Sequence, residues 1–144
     1  MTTSNTAGLT PAGPQIWPTL RCRDLRTLIG FYEAAFGFRA GVAYPDHTGQ
    51  LVHAELAGPR GGGIMLGLDG NDYVDPRQRM PVAPIRCYVV EPDPDALFSR
   101  AIAAGADVVR EPYDTPHGTR DCELQDPEGN RWLFGTSPGE LPAP

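Results

Sequence analysis

The apolar positions of the chain change period at regular intervals. Residues 16–22 (IWPTLRC) read as a strand. Asp24 follows as a helix N-cap, and Leu25, Leu28, Ile29, Tyr32 and Phe36 recur at helical spacing until Gly37, which suits a left-handed helix end. Three strands come next, over 38–44, 50–57 and 63–68. The same order then returns. Residues 85–90 read as a strand, Asp93–Pro94 as a helix start, and Leu97, Phe98, Ala101 and Ile102 as a buried stripe that Gly105 ends. Strands over 107–111, 119–125 and 130–136 complete a second βαβββ unit.

The two units align residue by residue. HAELAGPRGGGIMLG, from His53, lies over DCELQDPEGNRWLFG, from Asp121, at an offset of 68. Glu55 then falls on Glu123, Pro59 on Pro127, Gly61 on Gly129 and Gly67 on Gly135. The same offset places Gly37 on Gly105 and IWPTLRC on PIRCYVV, so one ungapped register serves the whole repeat. A single repeat of this length implies two related modules, not a solenoid. The expected organisation is a disordered polar tail over 1–14, a first module over 15–68, a linker over 69–83, a second module over 84–137 and a tail over 138–144.

Composition narrows the function. The 144 residues suit one domain or two small halves sharing a core, and 17 glycines with 16 prolines predict many turns and short helices. No run of eighteen apolar residues and no signal-like N-terminus is present, so neither a membrane span nor secretion is expected. Three cysteines, Cys22, Cys87 and Cys122, argue against a disulfide framework and for a reducing cytoplasmic setting. All twelve basic residues are arginine, which removes Schiff-base chemistry and the phosphate-loop lysine. The net charge of −6 disfavours nucleic acid and mildly favours a cationic ligand.

Candidate nucleophiles are few. No G-x-S-x-G occurs, and Ser4, Ser99 and Ser137 lie in a tail, a helix and the C-terminal region. GPRGGG (58–63) sits between strands and not before a helix, so it reads as a hairpin loop and not as a phosphate cradle. His53 and Glu55 share a strand face, as do Asp121 and Glu123, which leaves open either a displaced metal site or plain polar strand faces. Glu55, Asp121 and His117 are the candidates for metal-free acid–base work.

The ordered set LRCRDL…FYEAAFGF and DPEGNRWLF, with the βαβββ repeat, resembles the vicinal oxygen chelate superfamily: glyoxalase I, extradiol dioxygenases, fosfomycin-resistance enzymes and bleomycin-resistance proteins. The resemblance covers residues 16–136 and implies an α+β fold of two tandem βαβββ modules, with curled mixed sheets and the helices outside. It also implies a ligand cup closed by paired modules, often across a homodimer.

Enzymes of that family hold a divalent metal at four equivalent strand positions. By resemblance these fall at Trp17, Met65, Ile85 and Leu133, and none of the four side chains suits magnesium, manganese or zinc. No metal and no other cofactor is therefore expected. With these positions inward, strand parity adds Thr19 and Arg21, Cys87, and Arg131 to the cup. Trp132 and Phe134 then face the helices. His53 and Glu55 on their strand, and Tyr113 and His117 near the rim, complete the expected ligand-binding set. The resulting expectation is a metal-free, bleomycin-resistance-type protein that sequesters an antibiotic or related natural product, planar or cationic, in an apolar cup. The alternatives are a lyase or dioxygenase with displaced metal ligands, and a metal-free isomerase.

Overall fold

The computed structural model describes residues 16–70 and 75–143. The predicted tail 1–14, the linker residue Tyr73 and the terminal Pro144 lie outside the described residues. The first module runs β1 (Thr19–Cys22), α1 (Leu25–Phe31), a π-helical turn (Tyr32–Phe36), β2 (Arg39–Pro45), β3 (Leu51–Ala57) and β4 (Gly63–Leu68). The second runs β5 (Arg86–Val90), α2 (Pro94–Ala103), β6 (Asp107–Asp114), β7 (Arg120–Gln125) and β8 (Arg131–Gly135). Their sheets have equivalent orders, β1-β4-β3-β2 and β5-β8-β7-β6, with only the β1–β4 and β5–β8 pairs parallel. The predicted α+β arrangement of two βαβββ modules is the observed one. β1 and β5 begin later than expected, and β6 runs three residues further through two register irregularities.

The ungapped repeat does not hold at the start of each module. Asp24 caps α1 by accepting from the Thr27 N–H, and Asp93 caps α2 by accepting from the Ala96 N–H. These two caps are 69 apart, whereas Gly37 and Gly105 are 68 apart, so the first helix carries one residue more. The extra residue is absorbed in the π-turn, where the Gly37 N–H reaches the carbonyl of Tyr32. Two carbonyls of that turn, Glu33 and Ala34, accept from the Arg100 guanidinium of α2 at 3.0 and 2.8 Å.

This one-residue slip corrects the parity of β5. Thr19 lies beside Met65, and Met65 is equivalent to Leu133, which lies beside Tyr88. The counterpart of Trp17 is therefore Arg86 and not Ile85. Ile85, Cys87 and Val89 turn toward the core, with Cys87 beside Trp132 and Val89 beside Phe134. Arg86, Tyr88 and Val90 take the opposite face. A shift of one residue reverses every side chain of a strand.

One core joins the modules. Tyr32, Phe36 and Phe38 pack on Trp132 at ring separations of 5.2, 5.5 and 5.6 Å, and Phe36 meets Phe134 edge-on at 4.8 Å. Trp132 and Phe134 thus face the helices, as parity predicts. The buried Asp126 carboxylate anchors the turn before β8. It accepts from the backbone N–H groups of Glu128 and Asn130, the Asn130 amide, the Trp132 indole and the Tyr32 hydroxyl.

Candidate functional site

Because the helices cover one face of each sheet, the opposite faces stay open, and strand alternation decides what they present. In the first module, one row across the sheet is Arg21, Gly67, His53 and Tyr44, and the next is Thr19, Met65 and Glu55. Trp17 lies over Gly63, where a Cβ would overlap the indole. Arg21 lies over Gly67 at looser contact, where a Cβ would have room, and approaches Asp69 at 3.8 Å. The His53 ring stacks on Tyr44 at 5.8 Å, and its Nε2 is 3.0 Å from Glu55 Oε2. The sequence-derived residues Trp17, Thr19, Arg21, His53, Glu55 and Met65 therefore share one face.

The open face of the second module has a different character. Its rows are Arg86, Arg131 and Gln125; Tyr88, Leu133, Glu123 and Arg110; and Val90, Gly135, Asp121 and Tyr113. Arg86 grips the largely buried Glu123 with two hydrogen bonds, Nε to Oε2 at 3.0 Å and Nη2 to Oε1 at 2.9 Å. Arg131 donates to Gln125 at 3.0 Å and stands 3.9 Å from Glu123. Arg110 stacks on Tyr113, its guanidinium carbon 3.4 Å from the ring centre. The Tyr88 side chain and Asp121 lie over Gly135, where a Cβ would meet both. Burial, with the Asp121 charge second, raises the Tyr88 pKa.

Leu133, Arg131 and Tyr113 are thus on the second face, whereas Ile85 and Cys87 are not, for the parity reason given above. His117 is exposed at the tip of the β6–β7 hairpin. Arg86 and Tyr88 are additions that sequence parity does not give, and Glu123, already a strand-face carboxylate in the sequence, gains Arg86 as its partner. The signal was present in the 69-residue spacing of the Asp24 and Asp93 caps, which contradicts an ungapped offset of 68.

Beside the second face lies a groove of about 500 Å³ between the free edge of β5 and the 58–63 hairpin loop. Phe38, Ile64, Cys87, Val89 and Trp132 form its apolar wall, and Arg60, Arg86 and Tyr88 line it as well. β5 is the wall common to groove and open face.

The donor set does not fit a divalent metal. The four equivalent positions carry Trp17, Met65, Arg86 and Leu133, and an arginine brings positive charge where a cation would bind. Among the described residues no group of three or more His, Cys, Asp or Glu side chains comes together as a metal site. Nor is a thiolate nucleophile prepared. Burial pushes Cys22 and Cys122 up to about 12, and it also raises Cys87, with Asp126 adding to the shift. No helix among the described residues is long and apolar enough to cross a membrane.

Comparison with known proteins agrees with this architecture. The family model for the glyoxalase/bleomycin resistance protein/dioxygenase superfamily matches residues 15–134. An uncharacterized protein of Mycobacterium bovis is 32% identical over 126 residues, covering 85% of this chain and 82% of its own. Among solved structures, TioX from Micromonospora sp. ML1 is 30% identical with a TM-score of 0.73, over 85% of this chain and 98% of that one. Lactoylglutathione lyase from Agrobacterium tumefaciens shares the fold at 20% identity and a TM-score of 0.64, over 88% and 95% of the two chains. On the family match and the βαβββ repeat together, this chain belongs to the glyoxalase/bleomycin resistance protein/dioxygenase superfamily.

Proposed function

We propose that this chain is a metal-free small-molecule-binding protein that sequesters a planar natural product, such as a polycyclic antibiotic, against its open sheet faces. The observation that carries the reading is the set of side chains at the four equivalent strand positions: an indole, a thioether, a guanidinium and an isobutyl group. Together with Tyr88 they offer flat and adaptable apolar surface edged by a few polar groups, the composition of a ligand site and not of a hard-metal centre. Two features support closure by a second copy of the chain. The open faces expose Tyr88 and Val90, and β1 and β5 each leave one edge unpaired.

Thermal shift against a panel of quinone, glycopeptide and polycyclic antibiotics tests the reading. A ligand at a hundredfold excess over its Kd is expected to raise the melting temperature by about 5–15 °C. No stabilisation by any member, together with a stoichiometric divalent metal that survives gel filtration and is lost in His53→Ala, would overturn it in favour of a metal-dependent enzyme.

A second reading, metal-free acid–base catalysis, is favoured by one contact, the 3.0 Å approach of His53 and Glu55 on the open face. Proton exchange at a carbon acid in the presence of the protein, abolished in Glu55→Gln, would establish it.

A further inference from the structure

We propose that the open face of the second module recognises an anionic group on its ligand, a carboxylate on a planar ring system, through Arg86 and Arg131. This rests on the small-molecule reading above and specifies the charge that the site takes. Net charge alone points the other way, but −6 belongs to the whole surface, and a bound molecule meets only the local field.

Locally, two guanidinium groups share one carboxylate. Glu123 is held by Arg86 through two short hydrogen bonds and approached by Arg131 at 3.9 Å, so one positive charge remains uncompensated. The other carboxylates on this face do not supply it. Asp121 lies under Tyr88 and Asp107 at the strand end beside Gln125, and neither forms an ion pair with either arginine among the described residues. Arg110 is engaged with Tyr113 and adds further positive charge.

The forks are also presented to a ligand. The Arg86 and Arg131 side chains are 61% and 46% exposed, whereas Glu123 is 11% exposed. Arg86 commits its Nε and one Nη2 proton to Glu123, and Arg131 its Nε proton to Gln125. Arg86 Nη1 and Arg131 Nη2 form no hydrogen bond among the described residues, while Arg131 Nη1 is the atom that stands 3.9 Å from Glu123. A guanidinium fixed by a buried carboxylate keeps its planar fork oriented, which reduces the ordering cost of binding a carboxylate. Tyr88 and Leu133 form the next row on the same face, beside the paired arginines, so an apolar ring has surface to rest on while its acid group reaches the forks. Arg86 thus places a fixed positive charge where the metal-dependent relatives carry a metal ion.

Three probes with one ring system test this: 9-anthracenecarboxylate, its neutral carboxamide and 9-anthracenemethylammonium, titrated by fluorescence into the full-length protein. The carboxylate is expected to bind at least about tenfold more tightly than the carboxamide, and the ammonium more weakly than either. The advantage should shrink with added salt and vanish in Arg131→Gln. Arg86→Gln is expected to act likewise, but it strands Glu123; Arg131→Gln, outside the core, keeps the test open should that variant fail to fold. Equal binding of carboxylate and carboxamide, or preference for the ammonium, overturns the inference and leaves the binding reading intact. Failure of all three probes also overturns it, while the antibiotic panel separately decides whether the protein binds small molecules at all.

Discussion

Tyr32 of the first module donates its phenolic proton to Asp126 of the second at 2.6 Å, inside the aromatic core that both modules build. Asp126 has only acceptors and every neighbour offers it a donor, so its charge is dispersed without a cation. Asp126→Asn would turn an N–H₂ group toward those donors and is expected to cost about 2–4 kcal/mol. Tyr32→Phe removes one donor of five and is expected to cost about 1–2 kcal/mol. Urea unfolding measures both, and an Asn variant as stable as the parent would contradict this account.

The hairpin of each module clasps the segment before the helix of the other. Glu128 accepts from the Arg23 and Asp24 N–H groups at 2.8 Å, and its repeat counterpart Arg60 pairs with Glu91 at 3.1 Å. The two clasps share a place but not a strength. Glu128→Ala strips a charged acceptor from two backbone donors and is expected to cost about 1–3 kcal/mol, while Arg60→Ala removes a half-exposed ion pair worth under about 1 kcal/mol. Equal losses in chemical denaturation would show that the backbone contacts add nothing beyond charge.

Acid stability has a named contributor at the surface. The Arg120 guanidinium, through its hydrogen bonds to Asp95, holds that carboxyl below its ordinary value of 3.8, and Thr27 does the same for Asp24. A depressed carboxyl stabilises the fold fully above its unfolded value, and the contribution is lost as pH falls through the lower folded value. The melting temperatures of the parent and of Asp95→Asn should therefore differ at pH 6 and converge as pH falls through the lowered folded value. A gap that does not narrow at all as the pH is lowered would mean that the difference does not come from ionisation.

Thiol reactivity should follow burial. Cys22 and Cys122 are fully buried and pushed up to about 12, so both are protonated at pH 8 and screened from reagent. Ellman's reagent at pH 8 should reach only Cys87 in the folded protein, slowly and by way of the groove that it lines, and all three thiols after unfolding. Rapid labelling of Cys22 in the native state would contradict the packing of β1.

The sequence made the module order, the glycine-ended helices and the role of Trp132 legible, because each depends on local pattern: hydrophobic period, caps and the Asp126 turn. It gives the open face of the second module only in part. The face taken by Leu133 and Arg131 follows from a strand whose spacing is preserved, whereas the face of Ile85 and Cys87 depends on an offset carried across a helix whose length differs between the modules. An offset taken from strands is valid only as far as the next insertion. Glu123 was visible as a carboxylate on a strand face, but its partner Arg86 was not, because parity had turned that residue away. The groove beside β5 has no signature in the chain, since it forms where two distant segments approach.

The π-turn also shows where this fold accepts a change of length. An added residue in β1 would exchange the apolar and polar faces of the strand and strand Leu20 and Cys22 in solvent. Placed in the helix, it only widens one turn, and Arg100 of the other module covers the loosened carbonyls. The helix acts as an expansion joint. A half-repeat can gain or lose a residue there while its strands stay in register, which allows the two open faces of the protein to present different side chains on nearly the same frame.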